Sequence, residues 1–329
     1  MLNFSNRQWL TDRWRIDSLR GLACLLLVCY HAAGDFSNYT DQSLPLLQNI
    51  NALLADMRMP LFSFISGIIF SYKPLQSKSW DFIFRKSQRL LIPFFVMTVV
   101  LLGMKTAYPN ASVPVSIADL PYYLAYGYSH LWFLQAIFLI FCFYSILHAS
   151  LNVRNSYYYI VFVCSLVTYF FFFREIEVLS IGKASYLLPF FTLGVLVTTN
   201  LDFFSCRYNV LLYSATICFL AALALTIYEI FLIGHHSDVS SLFVSLSFLI
   251  FIYLALPKVN FLYQIGAFSF TIFLLHSIFI ALGIRLFPEI PVLGIPLTVA
   301  LSILAPIAVE VVVNRFTPTL RFCLGKGFN

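Results

Sequence analysis

The sequence predicts an all-α polytopic membrane protein, a bundle of about ten transmembrane helices with both termini cytoplasmic, and three observations carry that prediction. The 329 residues are 60% hydrophobic and only 10% charged, with a mean hydropathy of +0.87, which a soluble domain of this size would not tolerate. Ten apolar runs are long enough to cross a bilayer. With the N-terminus in the cytoplasm, fifteen of the 20 Lys and Arg residues fall on that side, and only Arg58, Lys105, Arg174, Lys183 and Arg285 on the other.

The runs fall near 18–34, 50–71, 88–106, 131–149, 157–173, 184–199, 209–233, 240–256, 266–286 and 291–313. The same topological bias accounts for the formal charge of +6, so no nucleic-acid partner is expected. The seven cysteines form no CxxC pair and mostly lie in apolar runs, which makes them packing residues and not metal ligands or disulfides. Ala32-Ala33-Gly34 after an apolar run loosely imitates a signal peptide, but cleavage there would leave an odd number of spans and blur the charge split. No internal repeat is visible. The expectation is one membrane domain over 1–329, with short cytoplasmic tails at 1–17 and 314–329 and no soluble appendage.

Span one organises the chemistry. Ten residues separate Arg20 from His31, so the two share one helix face about 16 Å apart, a cation near one boundary and an imidazole deep in the bilayer. Polar groups are costly there, and their cost argues for use. Asp17, three residues before Arg20, can pair with the guanidinium on the same face. Asp35, one turn beyond His31, could accept the Nδ1 proton and leave Nε2 free as a base.

Span two reads MRMPLFSFISGIIFSYK and sets Arg58 about 21 Å from the boundary at Tyr72, a depth similar to that of His31. Arg58 there needs a carboxylate or an anionic substrate, unless the helix starts late and the side chain snorkels to the outer interface. Ser66 and Gly67 form a small surface that admits a neighbouring helix or a ligand. Arg85, Lys86 and Arg89, in the inner loop and at the start of span three, fit the positive-inside bias or a grip on phosphates. The outer connection 107–130 carries Pro109, Pro114 and Pro121, so it lies against the membrane or folds over an opening.

His130 and Trp132 open span four at the outer interface. His276 in span nine and Glu310 in span ten lie in apolar runs, and Glu310 could neutralise Arg20 or Arg315. His235, His236 and Asp238 make a short outer turn that reads as solvated; no metal is expected.

Side by side, these segments resemble the acyltransferase-3 family of integral membrane acyltransferases, particularly members that O-acetylate bacterial surface sugars. The pieces are DSLRGLACLLLVCYH, MPLFSFISGIIF, RLLIPFF, HLWFL and IGAFSFTIFLLH, in the family's order and at its ten-span spacing across nearly the whole chain. The resemblance implies residence in a bacterial inner membrane and acetyl-CoA as the donor on the cytoplasmic side. It implies a glycan or lipid-linked sugar as the acceptor, His31 as the base that activates its hydroxyl, and Arg20 as a donor-site or structural residue. It maps coenzyme binding onto Arg85 and Arg89, although Ser87 and Gln88 stand where the family often has a double arginine. The lack of an esterase-like domain after span ten implies a single-component enzyme. Acyl transfer also wants a positive group where the oxyanion develops, a role open to Arg58.

A transporter or flippase for a sugar or lipid-linked saccharide would use the buried His, Arg and Glu as a relay. Such proteins often carry a two-fold repeat with matched helix breaks, and Pro93, Pro189 and Pro306 do not recur in matched positions. The enzyme is therefore the favoured expectation.

Overall fold

The computed structural model describes residues 12–40, 45–72, 79–106, 116–150, 155–171, 175–234, 237–287 and 291–326. Among the described residues, regular structure is helical throughout. The longer helices are α1 (Arg13–Thr40), α2 (Pro45–Tyr72), α3 (Ser79–Thr106), α5 (Trp132–Ser150), α6 (Asn155–Phe171), α7 (Ile181–Thr199), α9 (Tyr208–Tyr228), α10 (Asp238–Ala255), α12 (Ser269–Leu286) and α13 (Pro291–Phe316). Short helices α4 (Leu120–Tyr126), α8 (Leu201–Cys206) and α11 (Asn260–Ala267) lie between them. Nine described helical stretches are long and apolar enough to cross a membrane. The run expected near 157–173 is α6, whose 17 residues stand at the lower edge of spanning length.

Two boundaries differ from expectation. Helix α3 starts nine residues before the expected 88, so Arg85 and Lys86 are helical and not in a loop, and Arg89 lies in the helix as expected. No breaker interrupts Ser79–Arg89, and Asp81 supplies a first-turn carboxylate that favours a helix start. The run expected at 266–286 is broken at Phe268, whose φ of −107° and ψ of 12° separate α11 from α12.

The chain forms two compact units. The first comprises residues 1–72 and 193–308, the second 73–192 and 309–329. In the first unit α1 is central, packing against α2, α11 and α12. Its buried stripe Cys24 and Val28 meets Ile265, Ile272 and Ile303, and one turn further Ala32 and Phe36 meet Ile280 and Ile284. Helices α1 and α11 touch backbone to backbone, because a Cβ on Gly266 would overlap the Asp17 carbonyl and one on Gly21 would overlap that of Leu262.

At the start of α1, Trp14 stacks on Tyr263 with centroids 4.9 Å apart, and Asp12 pairs with Lys258 at 2.6 Å. The Lys258 ammonium, aided by the Trp14 backbone N–H, holds the Asp12 carboxyl below its usual value. A depressed carboxyl contributes stability that is present above its unfolded value, about 3.9, and lost as pH falls through the folded one. The advantage in melting temperature of the native chain over Lys258→Met in detergent is therefore expected to shrink as pH falls below about 4, so the two curves should converge. Curves that stay parallel would remove the pair from the acid response. Because the lysine is about half exposed and the carboxylate about a third, solvent screens the pair and the difference at neutral pH is small.

In the second unit, Gln135 of α5 donates to the Leu124 carbonyl at 2.6 Å and accepts from the Ser180 hydroxyl at 2.8 Å. These bonds tie α4 and the positive-φ residues Leu179 and Ser180 to α5. The Tyr144 hydroxyl donates to Thr192 at 2.8 Å. The C-terminal 3-10 segment Pro318–Leu324 packs on α3.

Candidate active site

The Asp17–Arg20 pair is present on α1, with Arg20 Nη1 2.7 Å from Asp17 Oδ1. Asp17 is buried and Arg20 about a third exposed, so the carboxylate directs a guanidinium that still reaches out of the fold. Three turns along the same face, His31 Nε2 lies 3.3 Å from Arg58 Nη1 of α2. A guanidinium can only donate, so Nε2 is the acceptor and the neutral ring carries its proton on Nδ1. Arg58 also lies over Tyr30, its guanidinium carbon 3.3 Å from the ring centroid. The aromatic face receives the cation, and α2 begins at Pro45, well before Arg58, so the late helix start on which the snorkelling alternative depended is not found.

His276, fully buried on α12, approaches from the third side with its ring centroid 5.2 Å from that of His31. Its Nδ1 faces the carbonyls of Phe273 at 2.9 Å and Ile272 at 3.1 Å, both acceptors, so Nδ1 bears the hydrogen. Two imidazoles and a guanidinium from three helices thus meet at one point within the first unit.

Asp35 differs from its expected part. It is exposed, and among the described residues it makes no hydrogen bond to His31. The i,i+4 spacing brings it to the right face, but His31 turns its Nε2 towards α2, where Arg58 occupies the atom expected to be free. Ser66 donates back to the Phe62 carbonyl of its own helix at 2.8 Å, and Gly67 is buried. The close approach in this stretch belongs to Gly194, which lies against the Phe64 carbonyl.

Most of the remaining expected residues belong to the second unit. Arg85 and Arg89 are exposed on α3, and Arg89 Nε reaches the Gly325 carbonyl at 3.4 Å. Lys86 lies over the Phe141 ring at 3.9 Å. Lys183 stands 5.2 Å over Trp132. Glu310, 3% exposed, pairs with Lys326, a partner that the sequence reading did not offer. His235 and His236 lie outside the described residues, as do Pro109 and Pro114. Among the described residues no cluster of three or more His, Cys, Asp or Glu could hold a metal ion.

Sequence reasoning missed Arg15. Only 1% exposed, it lies with its guanidinium carbon 5.0 Å from the Tyr253 ring. The signal was available: Arg15 stands four and eight residues before Leu19 and Ala23, at the head of the buried stripe. It also missed Tyr30, the floor beneath Arg58.

Residues 13–311 match the family model described as an acyltransferase domain, a match that covers most of the chain. The chain belongs to the acyltransferase-3 family. The match begins at the first residue of α1 and runs through most of α13, so it includes His31, Arg58 and His276. No curated protein and no solved structure matches the chain. This acyltransferase-3 member is an integral membrane acyltransferase that acts with an acyl donor and a sugar or lipid acceptor.

Proposed function

We propose that the protein transfers an acetyl group from cytoplasmic acetyl-CoA to a hydroxyl of a cell-envelope glycan or lipid-linked sugar in the bacterial inner membrane, with both termini cytoplasmic. The observation that carries this reading is the His31–Arg58 contact, a base and a cation meeting deep in a chain of this family. Acyl transfer needs a base within hydrogen-bond reach of the attacking hydroxyl and a donor where negative charge develops. The acceptor hydroxyl takes the place of Arg58 at Nε2. Its oxygen attacks the thioester carbonyl as the imidazole takes its proton.

Arg58, displaced from the ring, turns its donors to the oxyanion. Collapse of the tetrahedral intermediate expels the coenzyme thiolate, which receives the proton from the imidazolium. His276, its tautomer fixed by two carbonyls, holds the third side of the ring. Arg20, directed by Asp17, lies about 16 Å away along the same face, where the charged end of the donor would be held.

The test is transfer of label from acetyl-CoA into base-labile glycan acetate by a bacterium that lacks related enzymes and displays a candidate glycan. Arg58→Gln is expected to lower the initial rate about 100-fold, the order seen when one oxyanion donor is lost. A rate within twofold of native would remove Arg58 from the chemistry.

A further inference from the structure

The turn of α2 that carries Arg58 is missing a backbone rung. In a helix the carbonyl of residue 56 accepts from the N–H of residue 60, and residue 60 is proline, which has none. The gap spans the four residues Asp56, Met57, Arg58 and Met59. Inside a membrane such a carbonyl must find another donor, and a serine of a neighbouring helix is a common one.

Here Ser245 of α10, fully buried, sets its single hydroxyl proton between two carbonyls, that of Asp56 at 2.6 Å and that of Ser241 on its own helix at 2.7 Å. One turn earlier on α10, Ser241 donates to Asp56 Oδ1 at 2.5 Å. Both the backbone and the side chain of Asp56 are thereby held by α10. That helix is itself fixed at its start: Glu229 accepts from the Ser237 N–H at 3.0 Å and from the Ser240 hydroxyl at 2.6 Å. The serines stand on a helix that cannot slide without breaking those bonds.

We infer that Asp56, Ser241 and Ser245 are positioning residues for Arg58. The Pro60 break frees this turn from the rest of α2, and α10 sets its place through Asp56, so the distance from Arg58 to His31 is governed from a third helix. The inference rests on the reading of Arg58 given above. It predicts that loss of the Ser245 hydroxyl impairs turnover, and that restoring the missing N–H within α2 repairs it without any change on α10.

The experiment measures initial rates of label transfer from acetyl-CoA in membranes, per folded molecule, with acetyl-CoA varied. Ser245→Ala is expected to lower kcat about threefold to tenfold, the worth of one hydrogen bond, with KM for acetyl-CoA unchanged. Ser245→Thr, which keeps the hydroxyl, should retain most of the rate. Adding Pro60→Ala to Ser245→Ala supplies the N–H and should recover the rate to within about twofold of native. A merely structural role would lower the folded yield and leave kcat per folded molecule alone.

Native kcat in Ser245→Ala, or no recovery in the double variant, overturns the inference. Ser241→Ala gives a second reading of the same coupling should Ser245→Ala fail to fold, and native kcat there overturns it equally. Arg58→Gln, run in parallel, separates the premises: if it transfers at the native rate the reading of Arg58 falls, and if it is impaired while the serine variants are not, only the positioning falls.

Discussion

His31→Ala should transfer label from acetyl-CoA at least about 100-fold more slowly than the native chain, and as much as 10,000-fold more slowly, the range for loss of a positioned base. The protein should remain folded, since the ring is only half-buried and its main contacts are Arg58, Tyr30 and His276. Removing the ring leaves Arg58 stacked on Tyr30. His31→Gln is the sharper variant. It still offers Arg58 an acceptor but has no group able to take a proton at neutral pH, so it should be as inactive as alanine while extracting from membranes in native yield. Activity in glutamine but not alanine would make His31 an anchor for Arg58 and not a base.

Gly266→Ala is expected to cost the fold itself. The added methyl meets the backbone carbonyl of Asp17 and the backbone of Gly21, not the far end of a flexible side chain, so α1 and α11 have to separate. Overpacking of a well-filled core costs about 1–3 kcal/mol, and an overlap between two backbones belongs at or above the upper end. Separation would also shift Asp17, whose carboxylate holds Arg20, so any surviving protein should transfer label poorly. Size-exclusion yield and thermal unfolding in detergent report the loss. Gly103→Ala is the control, since a Cβ there meets nothing within 4 Å and helix propensity favours alanine by about 1 kcal/mol. Equal yields from the two variants would contradict the packing described here.

The fold class was legible because bilayer length and apolar composition leave few alternatives, and the ten apolar runs map closely onto the helices. What periodicity could not convey was the break at Phe268. An apolar run reads the same whether its helix is continuous or jointed, and the joint is defined only by how α11 lies against α1. In the site, Arg20 with Asp17 was readable because both lie on one helix, whereas the reach of Arg58 to His31 is a property of two. Depth alone suggested that they share a level. Asp35 shows the limit of single-helix reasoning: the spacing to His31 was correct, but the ring answered to a partner on another helix. Arg15 was overlooked for a related reason. A cation at the head of a span reads as an anchor, and its burial becomes visible only when Tyr253 is brought beside it.

The pairing of Glu310 with Lys326 carries a consequence for biosynthesis. The lysine is made sixteen residues after the carboxylate, so it is still within the ribosome when the helix bearing Glu310 reaches the membrane. Glu310 therefore enters the membrane before this counter-ion is released. The pair can close only after the segment bearing Lys326 has left the ribosome, so it locks α13 once that helix is in place and does not guide it in.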